Sequence, residues 1–422
     1  MFKQRFNKLQ ALRFKHFTRN GYALFNCIGK EVLICTLSVT TLTYAKAEGI
    51  SVKDAAAADS LGHQEVKLDE VIVTGSRAPL TAIQSAKIVS VITRDDIDRA
   101  PAETVNDLLK LAIGADVRQR GSFGVQTDIS INGGTSDQIT ILLNGINISS
   151  PQTGHNAADF PVEMADIERI EILEGSSARV FGSSAFNGAI NIVTKHEKRT
   201  GARLSAEGGS FGTWGVNGRV SVATGAVTNS VSGGYRQSDG GTLHSDFKRR
   251  QMFYQGDLAS QHIDLQWQVG LSSQDFGANT FYSAKFNDQF EATRRYLTSL
   301  SGTIKPFDTD WLTLVPQLYW HRDYDHYQLI RGKEGAAAGE NYHRTDVYGG
   351  GMTANLRWLL GTTSVGADIR REHIVSTAYG DELSEDEWIN ISGSDRKYSH
   401  RGDRTNTSLF LEHNIIVGGL TM

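Results

Sequence analysis

The side chains that do chemistry are present in this 422-residue chain, but their spacing does not assemble the common reactive sites. His321 and His326 lie in the run HRDYDH on a stretch that reads as strand. Their odd separation puts them on opposite faces, so a shared metal site is not expected. Asp381, Glu382, Glu385, Asp386 and Glu387 offer the carboxylate oxygens a hard cation such as Ca²⁺ takes. They lack ligand-loop spacing and a turn glycine in register, so a solvated charge run is the better reading. Arg401-Gly402-Asp403 is a common tripeptide and carries no weight. No zinc-protease histidine pair, phosphate-binding glycine loop or nucleophile elbow occurs. No catalytic residue, metal site or cofactor is expected, and the chain does not read as an enzyme. One backbone segment stands out instead. In Asp69-Glu70-Val71-Ile72-Val73-Thr74-Gly75 the β-branched centre favours an extended conformation. It follows a small polar stretch, Glu48–Lys67, containing the run Ala55-Ala56-Ala57-Ala58. An extended segment on such an arm can add as a strand to a partner's sheet edge. The alternative is a first strand of the domain that follows.

That domain reads as a small α/β unit over 86–197. Val89–Ile92 is a strand. Thr93 begins a helix as N-cap with Asp96 in place of the usual Glu of a capping box. Ala102–Leu111 reads as a second helix with Val105, Leu108, Leu109 and Leu111 on its apolar face, ended by Gly114. Val117–Gly121 leads into further strands at Asp128–Ile131, Ile139–Leu143, Ile167–Ile172 and Ile190–Val193. Glycines 133, 134, 145, 175, 182 and 188 mark the turns.

After Thr200 alternation replaces helical periodicity. Ile263, Leu265, Trp267, Val269 and Leu271 share one face, as do Trp214, Val216, Val220 and Val222, and Leu312, Leu314, Pro316, Leu318 and Trp320. The intervening residues are polar, which suits strands between lipid and an aqueous lumen. Tyr235, Phe253, Tyr254, Tyr296, Trp311, Trp320 and Trp358 suit interfacial girdles. About ten strands of ~10 residues are expected from Ala202 onward. Composition agrees: 43 Gly and 6 Pro fit many strands joined by glycine turns, and no apolar window reaches transmembrane-helix length. The net charge of −4 gives no reason to expect nucleic acid. Lys3, Arg5, Lys8, Arg13, Lys15, Arg19 and Lys30, the apolar run Val32–Tyr44 and Ala45-Lys46-Ala47 read as a cleaved secretory signal over 1–47. Both cysteines, Cys27 and Cys35, fall inside it, so no disulfide is expected in the mature chain.

In order, the pieces are DEVIVTG, DVRQRG (Asp116–Gly121), DISINGG (Asp128–Gly134), ILLNGI (Ile141–Ile146), DIERIEILEG (Asp166–Gly175), Phe181-Gly182 and GAINIVTK (Gly188–Lys195). Together they resemble the plug domain of TonB-dependent outer-membrane receptors, with a TonB box ahead of it. PQTGHN and GSSAFNGAINIVTK look most like the cobalamin-receptor branch of Bacteroidetes type. The resemblance implies a box-bearing periplasmic arm over 48–85, an α+β plug over 86–197 and, over 198–422, the N-terminal part of an antiparallel transmembrane β-barrel. Such barrels close with 22 strands, so about half is supplied here. Gly418–Met422 also lack the family's closing aromatic strand. An open edge in lipid is excluded, so the chain is expected to be a truncated piece, not functional by itself.

The implied activity is energised uptake of a scarce nutrient, a cobalamin or related corrinoid, across the Gram-negative outer membrane. TonB would take residues 69–75 as a strand, in the periplasm, and outer-membrane lipid would surround the barrel. The apical loops implied to meet the ligand hold Ser122, Phe123, Gly124 and Gln126; Thr135, Ser136 and Asp137; and Gln152, Thr153, His155 and Asn156. They mix small hydrogen-bonding groups with one aromatic and one His, suited to a neutral polar ligand; solvated turns are the plainer reading. Many members carry Arg where Asn132 and Glu174 stand, and Asp at Asn144. The arginines commonly face wall carboxylates, so a different plug seating is expected. The alternatives are a ferric-siderophore receptor and a soluble periplasmic binding module. Glycan-import or signalling types need an extra N-terminal domain, which about 20 residues cannot hold.

Overall fold

The structure is a computed structural model that describes residues 72–73, 80–81, 89–154, 159–175, 181–182, 185–309, 311–417 and 420–421. The leader with both cysteines, and Asp69, Glu70, Val71, Thr74, Gly75, His155 and Asn156, lie outside the described residues. Of the box, Ile72–Val73 pairs antiparallel with Leu80–Thr81.

The first body is built on β1 (Val89–Ile92), β2 (Ala115–Gln119), β3 (Thr127–Ile131), β4 (Ile139–Leu143), β5 (Ile146–Asn147), β6 (Ile167–Glu174) and β7 (Gly188–Thr194). A five-stranded sheet runs β1-β6-β7-β4-β5, with β4 and β7 parallel and the other pairs antiparallel. β2 and β3 form a separate hairpin. Every residue of β4 and of β7 is buried, as expected for central strands covered on both faces. Ile141, Leu143, Ile170, Ile172, Ile190 and Ile192 meet Leu108, Leu109 and Ile97 in one core.

Two short helices cover this sheet. α1 (Arg94–Arg99) starts at the expected capping box: Thr93 Oγ1 accepts from the Asp96 amide and Asp96 accepts from Thr93 N. α2 is shorter than expected, Val105–Leu109 rather than Ala102–Leu111. A second capping box, Thr104 with Asp107, fixes its start two residues inside the expected span, and the chain leaves it after Lys110 toward Gly114, whose φ is +83°. Leu111 therefore misses the core and is 54% exposed.

The second body is the wall. Its long strands are β8 (Gly201–Gly208), β9 (Trp214–Thr224), β10 (Val227–Ser238), β11 (Phe247–Ala259), β12 (Ile263–Asn279), β13 (Gln289–Ile304), β14 (Leu312–Gln328), β15 (Glu340–Trp358), β16 (Gly361–Ser376) and β17 (His400–Asn414). They form one antiparallel sheet in chain order, extended by Asp381–Glu382 on β17. Among the described residues no ladder joins β8 to β17, so the sheet is open. Its connections are 225–226, 260–262, 305–311 and 359–360 at one rim, mostly short, and 209–213, 239–246, 280–288, 329–339 and 377–399 at the other, mostly long.

The alternation read from the sequence sets the two faces. Val216, Val220, Val231, Leu300, Leu318, Met352, Ile369 and Leu409 stand exposed on the outer face, while Ser232, Gln255, Gln268, Ser272 and Thr293 face inward and are buried. Tyr235, Tyr296 and Trp320 keep step with the outer set, and Trp311 and Trp358 are exposed at the short-turn rim. Phe253 corrects the expected girdle. Its parity is that of the inner face, and at 2% exposure it packs in the core of the first body. Among the described residues no helix is long and apolar enough to cross a membrane.

Candidate functional site

The first body sits against the inner face of the wall, and one of its segments does most of the holding. Residues 159–166, DFPVEMAD, lie across β9 to β13. Asp159 accepts from Ser272 Oγ (2.9 Å) and Thr293 Oγ1 (3.3 Å), and its carbonyl accepts from Arg295 (2.9 Å). The Phe160 carbonyl accepts from Gln251 Nε2 (2.5 Å). Asp166 Oδ1 accepts from Arg219 Nε (2.9 Å), and its Oδ2 accepts from Ser232 Oγ (2.6 Å) and the Glu163 amide (3.0 Å). Arg219 also donates to Glu197 Oε2 (2.7 Å), so one wall guanidinium holds both the seat and the segment that leaves for β8. Two wall glycines let the segment come close. A Cβ on Gly270 would stand 2.9 Å from Pro161 Cβ, and one on Gly234 would overlap the Glu163 carboxylate.

The electrostatics of this seat follow from burial. Asp166 is 2% exposed; burial raises its pKa, and the hydrogen bonds from Ser232 and Arg219 offset that only in part. Burial likewise raises Glu163, against the pull of Arg249 and Arg236. Beside Glu163 a cavity of ≈ 260 Å³ separates α1 from β8–β10, lined by Asp98, Glu103, Arg203 and Glu207 among others. Both charge signs line it, so water fits there.

The altered positions Asn132 and Glu174 bond each other (Asn132 Nδ2 to Glu174 Oε2, 3.2 Å). The wall contacts are made by Asp159 and Asp166 instead, which sequence reasoning did not single out as anchors. Asp166 was visible only as the first residue of DIERIEILEG. At Asn144, φ is +51° and the side chain pairs with Thr194 through both its oxygen and its nitrogen.

The candidate loop residues lie toward the long-connection rim. Phe123 and Gln126 have positive φ (55° and 48°), with Gly124 at 77° between them. The Phe123 ring packs on Phe247 at 5.4 Å and lies under the Arg236 guanidinium at 5.3 Å, so this aromatic is already occupied. The Gly124 carbonyl accepts from Asn106 and Thr127, and Gln126 is buried. Ser122 is exposed. Thr135, Ser136 and Asp137 form a short turn, and Gly154, next to Thr153, abuts Ser136 and Asp137 so closely that a Cβ would sit 2.6–2.7 Å from their oxygens. Two candidate loops thus converge. Gln152 turns to the wall and donates to Asp325 Oδ2 at 2.7 Å. At the same end Ile113 (81% exposed), Leu111 and Phe186 (61%) stand in the open. Their apolar character was hidden in the sequence by assignment of Leu111 to a helix face. His321 bonds Asp323 on the inner face, while His326 bonds Glu340; the two do not meet.

With this geometry in place, residues 81–189 match the family described as TonB-dependent Receptor Plug Domain. The relatives are named vitamin B12 transporter BtuB. The protein of Photobacterium profundum is 32% identical over 216 residues, covering 49% of this chain and 33% of that one. The protein of Vibrio vulnificus is 29% identical over 244 residues, covering 56% and 37%. Neither bears on the Bacteroidetes-type narrowing. Among solved structures, copper transporter OprC matches with a TM-score of 0.61 at 16% identity, covering 79% of this chain and 53% of that one. Ferric citrate transporter FecA in its unliganded form matches at 0.60 and 15%, covering 80% and 55%. The chain spans about a third of the length of the curated relatives it matches. These likenesses are to transporters and receptors, with no enzyme among those described. The fold shared with these structures is an α+β plug domain followed by a large antiparallel sheet.

Proposed function

We propose that this chain forms the plug and first strands of a TonB-dependent outer-membrane receptor that takes up a cobalamin or related corrinoid. The observation that carries the cargo assignment is sequence likeness: the relatives named above, at 29% and 32% identity, carry the name vitamin B12 transporter. Siderophore and copper receptors match at 15–19%, a likeness of fold. Supporting the membrane setting is the apolar outer face, which a soluble binding module would have to cover.

In this reading the converging turns at Thr135–Asp137 and Gln152–Thr153, with Ser122, His155 and Asn156, meet the ligand from below. Phe123, Gly124 and Gln126 shape the loop beneath them rather than touch cargo. Residues 69–75 serve as the TonB-binding strand on the periplasmic side. The test is titration of the receptor carrying this plug, in neutral detergent, with cyanocobalamin and with ferric siderophores. Corrinoid binding weakened roughly fivefold or more by Ser136→Ala or Asp137→Ala would support the reading, since each lost hydrogen bond is worth ~1 kcal/mol. Binding of iron chelates with no affinity for corrinoids would move the cargo to the siderophore class.

A further inference from the structure

The outer face carries, just beyond its apolar belt, a cluster that belongs neither to the plug seat nor to the cargo loops. On β14 the outward series runs Leu312, Leu314, Pro316, Leu318 and then changes to Trp320, Arg322, Tyr324 toward the long-connection rim. The register carries the change across neighbouring strands. Tyr324 is opposite Arg294 on β13 and Arg344 on β15, and Arg322 is opposite Tyr296 and Asp346. One strand further, Tyr348 is opposite Arg371 of β16.

The cluster is ordered by its own contacts. Asp346, 3% exposed, accepts from Arg322 Nε at 2.6 Å and lies 3.4 Å from Arg344 Nε. Arg322 stacks on Trp320 (5.5 Å) and reaches the Tyr324 hydroxyl at 3.5 Å; Tyr296 and Tyr324 meet edge to face at 6.2 Å. The carboxylate thus orients the Arg322 guanidinium by a hydrogen bond, while Arg344 stands beside it as an ion-pair neighbour, its guanidinium over the Tyr398 ring at 5.7 Å. Arg294 and Arg371 are exposed, and among the described residues neither has a carboxylate within ion-pair distance. Positive charge is therefore in excess at the level where the apolar belt ends and aromatic rings begin, which is headgroup depth for a sheet in a bilayer.

We propose that Arg294, Arg322 and Arg344, with Tyr324 between them, form a binding site for the phosphate of a membrane lipid headgroup. Guanidinium forks match phosphate oxygens two at a time, and Asp346 pre-orients that of Arg322. The apolar rows below take the acyl chains, which a soluble phosphate compound cannot use. The site rests on the membrane reading of the wall but not on the cargo.

The intact receptor carrying this chain, purified in neutral detergent, is titrated with mixed micelles containing phosphatidic acid or phosphatidylcholine, and bound lipid is read by native mass spectrometry. The expected result is preferential retention of phosphatidic acid, falling at least about tenfold in R294Q/R322Q/R344Q. R99Q/K198Q/R199Q, an equal charge change away from the cluster, should leave retention unchanged. Should the triple variant fail to fold, R294Q alone, at an exposed side chain, should still weaken retention. Equal retention of both lipids, equal loss in the control variant, or displacement by millimolar inorganic phosphate alone would overturn the proposal. Failure of the chain to enter micelles at all would instead overturn the membrane reading.

Discussion

Removing the Asp166 carboxylate tests how the plug is seated. Asp166→Ala deletes acceptors for Arg219, Ser232 and the Glu163 amide and leaves Arg219, 6% exposed, facing an empty site. Breaking a buried pair from one side typically costs about 3–5 kcal/mol. Arg219 keeps Glu197 at 2.7 Å, so the low end applies, about 3 kcal/mol, or more than a hundredfold in the released population. Asp166→Asn keeps an oxygen for Ser232 and the Glu163 amide but sets its NH2 against Arg219 Nε, so it loses the charge and that one acceptor, about 1–3 kcal/mol. Pulse proteolysis across a urea series in detergent reads plug release, with plug and wall fragments separated by mass. A double-mutant cycle with Arg219→Met should then show coupling of about 2 kcal/mol. Additivity within about 0.5 kcal/mol would refute the seat, because it would mean the two side chains do not act on each other.

Other predictions concern packing, charge and pH. Gly188→Ala would place a Cβ 2.5 Å from the Leu173 carbonyl and 2.7 Å from Ile131 Cδ1; overpacking of this kind costs about 1–3 kcal/mol, read as a lower urea midpoint for the plug. Leu108→Ala empties a fully buried site in the plug core and should cost about 2–5 kcal/mol in the same measurement. Glu163 has its pKa raised by burial, so the folded state binds its proton more readily than the unfolded state does. Its contribution to plug stability therefore rises as pH falls through the raised value, and Glu163→Gln should flatten that rise and stabilise the plug at neutral pH. Urea midpoints at pH 5 and pH 7.5 check both halves of the statement.

Much of the architecture was legible because it rests on local rules. The Thr93–Asp96 cap, the buried strands Ile139–Leu143 and Gly188–Thr194, and the outward sets on β9, β12 and β14 all follow from spacing alone. The second helix was misjudged because Thr104 and Asp107 form a cap as good as any, but one that lies inside an apolar stretch which seemed to need it earlier. Phe253 was misassigned because it was read as lying near a strand end, whereas it stands in the middle of β11, where its parity with Gln251 and Gln255 puts it on the inner face. The seat was not legible. Asp159 and Asp166 meet residues more than fifty positions away, and nothing in one sequence says which carboxylates of an acid-rich stretch will be covered. The candidate ligand turns were legible as turns, while the commitment of Phe123 to Phe247 and Arg236 depends on wall strands more than a hundred residues downstream.

The direction of charge across the seat limits what can be exchanged. Here the plug brings the Asp166 carboxylate and the wall answers with Arg219. A plug built with the opposite polarity, an arginine in place of Asp166, would set like charges together at this buried point of the wall. Plug and wall of this chain therefore form a matched pair. Recombination that separates residues 159–166 from strands β9 to β13 would produce chimeras that carry all the parts and cannot close.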